Sequence, residues 1–531
     1  MKKLSFILLL MIACFSVHAD IYQWAVKVEG YTSSETGESP EAFMWIPEDC
    51  EQVKAIVVSQ QNMNEETIFN HPTFRSTMSD LGFAIVWIAP SIDYQWDVRN
   101  GCQEMFDKML VDLADVSGYE ELQYVPIVPL GHSAMATFPW NFAAWNYERT
   151  LAVVSFKGDS PRTNLTGYGR ENLEWGRNRN IDGIPGLMIE GEYEWWEARV
   201  NPSLAFRMMY PESCISFLCD RGQGHFDASD KVVEYISLFL KKAAQYRLIN
   251  GSTENLKKLN PKDGWLAERW RENRAKRAKS APFTEYKGNQ HDAFWYFDKE
   301  MAEATERYYK EPLNRKMHYI GMSANGKLLP FDKDGHGQYM WEPELGEDMN
   351  FNLKAVLTDS MRSVPVNGTA SHSQALKISK INGPVEVIND TTFKVDFYRI
   401  GFNNPRRSGD IWLLGSLDED NKNKNAVQQF NARIPYPLIK GERQYILFPG
   451  IPDVSKDIEA IDLKAHSDKN LTVSYYIKQG PAKIKGDKVV LTETPPRAKY
   501  PIKVTVVAWQ YGVKGRVQSA EPVERDFYIT N

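Results

Sequence analysis

The sequence lacks the side chains of a metal-built fold. Its five cysteines include no Cys-x-x-Cys pair, and its nine histidines form no cluster at metal-ligand spacing, so a structural zinc site is not expected. It also lacks an excess of one charge. A formal net charge of -6 over 531 residues gives no electrostatic basis for a nucleic-acid partner, and no zinc-finger or RNA-binding signature occurs. Beyond the N-terminus no apolar run reaches the length of a membrane span. Low-complexity tracts and repeats of solenoid period are absent too. What remains is 43% hydrophobic and 25% charged, the balance of a soluble globular chain. A length of 531 residues exceeds what one core fills, so two to four domains are expected.

The N-terminus carries a recognisable pattern. Lys2 and Lys3 precede the apolar run Leu4–Val17, and Val17-His18-Ala19 offers an A-x-A-like cleavage site. Residues 1–19 therefore read as a secretory signal peptide. The alternative takes Met11-Ile12-Ala13-Cys14 as a loose lipobox, with Cys14 acylated and the protein anchored to the outer membrane. Either way the chain is expected in the periplasm or at the cell surface. Cys50, Cys102, Cys214 and Cys219 would remain after cleavage, too few for a disulfide scaffold in so long a chain.

Strand and helix signals alternate through the first half. Trp24–Glu29 and Ala42–Ile46 suggest an opening hairpin. Val53–Ser59 and Phe83–Ala89 are short, nearly unbroken apolar runs, as expected of strands buried on both faces. Helical spacing over His71–Leu81 ends at Gly82, and Glu104–Val116 is amphipathic. Further strands are expected at Tyr124–Leu130, Leu151–Phe156, Gly186–Ile189 and Ile215–Cys219. A last helix, Asp230–Ala244, has Ser229 as its N-cap. This alternation indicates an α/β fold with a doubly wound, mainly parallel sheet over residues 20–250. Residues 251–348 include a Lys/Arg-rich stretch and suggest a helical connector. Residues 349–450 are β-rich, and 451–531 suggest a compact β-sandwich.

The candidate chemistry lies at the ends of the expected strands. The stretch VPLGHSAMATF, Val128–Phe138, places Ser133 on a strand-to-helix step, the setting of a nucleophile elbow. The usual second glycine of G-x-S-x-G is absent, because Met135 holds its place. The run SCISFLCDRGQGH, Ser213–His225, brings a strand into a glycine-flanked loop with His225 at its tip, directly before the last helix. A histidine there can deprotonate a serine, provided that a carboxylate orients its ring. In PGLMIEGEYEWWE a strand ends at Gly191, and Glu194 stands three residues later as that acid. Glu192 and Asp159 are the alternatives. An oxyanion hole needs the N–H of Ala134 and one from the loop SQQNMNEE. That loop lacks the expected glycines, so Gln61 or Asn62 would donate.

With GHSAM, GEYE and GQGH in this order, residues 20–250 resemble a secreted member of the α/β-hydrolase superfamily. Residues 451–531, with SYYIKQGPAKIKGD, are similar to the immunoglobulin-like modules of bacterial surface proteins. Export signal and trailing β-domains together resemble polysaccharide-degrading proteins of Gram-negative bacteria. The resemblance implies a Ser133–His225–Glu194 triad working without metal or organic cofactor. An insertion at 159–183 carries Arg162, Arg170, Arg177 and Arg179 with Trp175, and Trp195 and Trp196 flank Glu194. Arginines pair with carboxylates and aromatic rings stack on sugars, so Trp195, Trp196, Arg162 and Arg177 are candidate substrate contacts. The expected activity is that of a serine carboxylesterase acting on ester-substituted polysaccharide. A serine peptidase with the same triad, and an inactive glycan-binding protein, are the alternatives.

Overall fold

The computed structural model describes residues 21–163, 173–194, 197–252, 254–272, 277–310, 315–346, 348–366 and 376–531. The expected signal peptide, Cys14, Arg170, Trp195 and Trp196 lie outside the described residues. No helix among the described residues is long and apolar enough to cross a membrane.

The N-terminal half is built on one sheet of eight strands. They are β1 (Trp24–Lys27), β2 (Glu41–Trp45), β3 (Ala55–Gln60), β4 (Phe83–Ala89), β5 (Ile127–His132), β6 (Val153–Phe156), β7 (Pro185–Gly191) and β8 (Cys214–Asp220). Their spatial order is β1-β2-β4-β3-β5-β6-β7-β8. The first hairpin and the β2–β4 pair are antiparallel; every later pair is parallel. Helices α1 (Glu65–Phe69), α2 (Pro72–Leu81), α3 (Cys102–Ser117), α4 (Phe138–Trp145), α5 (Glu197–Met209) and α6 (Asp230–Arg247) make the connections. Because side chains alternate along a strand, each central strand feeds two cores. Val57, Ile85 and Leu130 pack with α2 and α6, while Ile56, Val58 and Val86 pack with α3. Local signals set the helix ends. Gly82 stops α2 in the left-handed conformation at φ 68°, and the Ser229 hydroxyl accepts from Val232 N at the start of α6.

The stretch after α6 differs from a helical connector. It forms a three-stranded antiparallel sheet (Trp265–Glu268, Ala281–Pro282, Ala293–Tyr296) and a single ten-residue helix, Lys299–Tyr308. This sheet extends the hydrolase core, with Phe294 stacked on Phe217 at 4.9 Å and Tyr296 Oη donating to Phe217 O at 2.6 Å. Arg269 pairs with Glu197 at 2.6 Å and with Asp292 at 2.9 Å.

Two β-modules complete the chain. In the first, strands Lys377–Asn382, Asp410–Leu417, Ala426–Arg433 and Met340–Trp341 form a four-stranded sheet. Two three-stranded sheets pack with it around Phe351, Phe393, Leu413 and Phe430. The second is a sandwich of four and three short strands. It docks on the α3 side, where Arg497 pairs with Glu121 at 3.0 Å. The four described cysteines are all free and buried.

Candidate active site

Ser133 begins a 3-10 turn between β5 and α4 and has φ 55°. That left-handed conformation costs a non-glycine residue of the order of 1–3 kcal/mol and is retained where surrounding structure enforces it. Here the enforcement is steric. A Cβ on Gly131 would lie 2.1 Å from Met135 O, and one on Gly158 would lie 2.0 Å from Ala136 Cβ. The close approach that a second motif glycine would permit is supplied by Gly131 and Gly158. The Met135 side chain turns instead into the core that holds Phe138 and Phe142. The elbow keeps its sharpness without the missing glycine.

His225 sits in the loop between β8 and α6, with Nε2 at 2.7 Å from Ser133 Oγ. Glu194 follows β7 in a short 3-10 turn, and its Oε2 abuts His225 Nδ1. The other oxygen, Oε1, accepts from Arg199 Nη1 at 2.8 Å. The acid and histidine loops are pressed together, since a Cβ on Gly191 would lie 2.4 Å from Gly224 O. Asp159 and Glu192 face elsewhere. Asp159 Oδ1 lies 3.5 Å from Arg199 Nε, and Glu192 accepts from Gly222 N at 2.8 Å and Lys424 Nζ at 2.7 Å.

Ser133, Glu194 and His225 stand after the fifth, seventh and eighth strands, at the carboxyl ends of a parallel sheet. The fold is that of an α/β-hydrolase. No family model and no curated protein matches the chain. Among solved structures it is similar to an S-formylglutathione hydrolase from Agrobacterium tumefaciens, at 12% identity and a TM-score of 0.31 over 42% of this chain and 94% of that one. It is also similar to a phospholipase/carboxylesterase from Dyadobacter fermentans, at 15% identity and a TM-score of 0.27 over 40% and 98%. A third is Est1E from Butyrivibrio proteoclasticus, at 16% identity and a TM-score of 0.27 over 39% and 96%.

The electrostatics suit a base and its orienting acid. Burial pushes the His225 imidazole below its ordinary range, and Arg199 and Lys157 push the same way, against the pull of Glu194. Burial raises the Glu194 carboxyl, but the His225 hydrogen bond and the Arg199 and Lys157 charges outweigh it and hold the group low. A neutral imidazole therefore faces an ionised carboxylate. Beneath the loop, Lys157 Nζ lies between Asp220, at 3.0 Å, and Asp227, all three fully buried. Burial opposes the Lys157 charge, yet the two aspartates prevail and hold the ammonium above its usual range. Asp227 Oδ2 in turn accepts from Gly224 N at 2.7 Å, fixing the turn that presents His225.

The expected oxyanion loop needs correction. Gln61 N donates to Ile88 O at 2.8 Å, and Asn62 N donates to Glu65 Oε2 at 3.2 Å. Neither N–H is left to face an oxyanion. The consumer is Glu65, which also accepts from Met63 N at 2.7 Å and from His132 N at 2.9 Å. One buried carboxylate thus pins the residue before the nucleophile to the loop after β3. Burial pushes its carboxyl up to about 7, against N–H donors that favour the anion. Ala134 directly follows Ser133 in the 3-10 turn. As the second residue of its turn, it has no carbonyl of that turn to which its N–H can donate.

The first β-module covers this end of the sheet. Asn382 Nδ2 donates to Met63 O at 2.9 Å and Arg407 Nη1 to Asn62 O at 3.1 Å, while Arg399 pairs with Glu66 at 3.2 Å. On the histidine side Glu419 takes a bidentate grip from Arg221, at 3.0 and 3.1 Å. Trp412 packs on Phe226, the neighbour of His225, at 5.1 Å. Between module and triad lies a cleft of about 750 Å³, lined by Ser133, Glu194 and His225 on one side and by His318, His336 and Arg362 on the other. Arg162 and Arg177 do not line it. Arg162 contacts Tyr210 and Glu174, and Arg177 is exposed. Glu65, Lys157 and Arg199 are the site residues that sequence reading passes over. A lysine closing the apolar run VVSFK was the available hint for Lys157. Among the described residues no His, Cys, Asp and Glu cluster could hold a metal ion.

Proposed function

We propose that the protein is a serine hydrolase, a carboxylesterase acting on ester-substituted polysaccharide. The observation that carries the reading is the 2.7 Å contact between Ser133 Oγ and His225 Nε2, with Glu194 on the opposite ring nitrogen. The neutral imidazole takes the Ser133 proton as Oγ adds to the acyl carbonyl. Glu194 holds the ring in the Nδ1–H tautomer and stabilises the imidazolium. The Ala134 N–H faces the developing oxyanion. Collapse returns the proton to the leaving alcohol and leaves an acyl-Ser133 ester, which water attacks with His225 again as base. The cleft's mixed lining and its second wall favour an extended, hydroxyl-rich alcohol over a compact apolar one. The pattern from Lys2 to Ala19 supports export to the compartment where such substrates occur.

A fluorophosphonate probe tests the reading. Wild-type protein should be labelled, whereas Ser133→Ala and His225→Ala should not be. Release of acetate or methanol from plant glycans, without cleavage of a peptide panel, should identify the ester as the target. Absence of labelling in the wild type would leave only a binding role.

A further inference from the structure

The wall opposite the triad carries a cation that no carboxylate among the described residues neutralises. Arg362 is half-buried, with its guanidinium 4.4 Å from the Phe331 ring centroid and 5.6 Å from that of Tyr319. Among the described residues no carboxylate lies within ion-pair distance of it. The acid three residues earlier, Asp359, is turned to the backbone, where it accepts from Ser363 N at 3.0 Å and Val364 N at 3.4 Å. Arg362 N donates to Asp359 O at 2.9 Å. The turn is thus built before any ligand arrives, and it holds Arg362 at φ 58°, a strained conformation of the kind found at ligand clamps. On the same wall His318 has a buried Nδ1 with no hydrogen-bond partner. Asp334 also borders the cleft, but it is exposed and therefore solvated.

A guanidinium stripped of part of its water and given aromatic faces but no counter-ion is suited to an external anion, held by charge-assisted hydrogen bonds. Among the described arginines of the 159–183 insertion none offers this, Arg177 being exposed. Arg162 is occupied as described, and Arg179 lies 4.6 Å over the Trp145 ring.

We propose that Arg362 and His318 form an anion-binding subsite on the β-module wall of the cleft, so that the substrate is an acylated acidic glycan whose anionic group sits across from Ser133. This rests on the serine-hydrolase reading above. The anion's chemistry is common to a uronate carboxylate and a sulfate ester, which the test separates.

The selectivity of the wild type is measured as the ratio of kcat/KM for acetylated oligogalacturonides to that for acetylated xylo-oligosaccharides of equal length. A ratio of about ten or more is expected, the effect of one charge-assisted pair. In Arg362→Gln the ratio should fall towards one. Equal rates in the wild type, or an unchanged ratio in the variant, would overturn the subsite. A second measurement needs neither the variant nor turnover of a natural ester. De-esterified oligogalacturonate and a sulfated oligosaccharide are titrated calorimetrically against wild-type protein, with neutral xylo-oligosaccharide alongside. Tighter binding of an acidic oligomer supports the subsite, and the tighter of the two names the anion's source. Equal binding of all three refutes it. Fluorophosphonate labelling is run in parallel. Its failure would sink the hydrolase reading, whereas labelling without acidic preference would sink the subsite alone.

Discussion

Replacing Glu194 by glutamine changes a single atom type, and the geometry dictates which way the amide will face. Arg199 Nη1 donates to Oε1 at 2.8 Å while Oε2 meets His225 Nδ1. Arg199 has only N–H groups to offer, so the single carbonyl oxygen of glutamine must stay on its side. The amide NH2 then faces Nδ1. A donor in that position favours the imidazole tautomer that carries its proton on Nε2, and such a ring cannot accept the proton of Ser133. The expected loss is about ten-thousand-fold in kcat, the scale of a tautomer error in a serine triad, or about 5 kcal/mol of transition-state stabilisation. KM should change little, since Glu194 points at the histidine and not at the alcohol being displaced. The assay is turnover of p-nitrophenyl acetate with the fluorophosphonate labelling rate measured alongside. Thermal unfolding confirms that the variant is folded. A kcat within tenfold of the wild type, in a folded variant, would refute the assignment of Glu194.

Three other perturbations have defined outcomes. In Glu65→Gln at least one of the three backbone N–H groups held by Glu65 must face an amide NH2, so stability should fall by about 1–3 kcal/mol and turnover with it; an unchanged melting temperature and kcat would show the pin to be dispensable. Lys157→Met leaves Asp220 and Asp227 buried without their cation, at a cost of about 3–5 kcal/mol in urea unfolding; a wild-type midpoint would contradict the network described. Because His225 titrates below its ordinary range in the folded protein, kcat/KM should rise with pH through a midpoint under about 6.5. The sign for folding is the same: the unfolded imidazole binds the proton more readily, so this group's contribution to stability is lost as pH falls from that ordinary value towards the folded one. A midpoint above 7 would require a different base.

Much of the hydrolase half was legible in the sequence because its signals are local. Unbroken runs such as FAIVWIA mark strands buried on both faces, and Gly82 and Ser229 punctuate helices where the chain turns. The meeting of Ser133, Glu194 and His225 was legible for a similar reason: each closes its own strand, so chain order and turn glycines pointed to them separately, and the structure brings the three side chains into contact. The oxyanion loop was misjudged because the Gln61 N–H is spent on Ile88 O and the Asn62 N–H on Glu65, a glutamate whose burial no periodicity reveals. The cleft wall opposite Ser133 was not legible at all. Arg362 enters the cleft from a module joined to the triad only through long-range pairing, and its chain neighbours carry no motif. The arginines of the 159–183 insertion drew attention by clustering, and Arg162 proved to be tied to its own segment.

The contacts that steady the loop after β3 come from Asn382, Arg399 and Arg407, more than three hundred positions downstream. A ribosome delivers these residues long after Ser133, His225 and Glu194. During synthesis Ser133, Glu194 and His225 are therefore on the chain before the residues that clamp the loop beside them. The two sides of the cleft are completed at different times in synthesis, the Ser133 side first and the side that carries Arg362 afterwards.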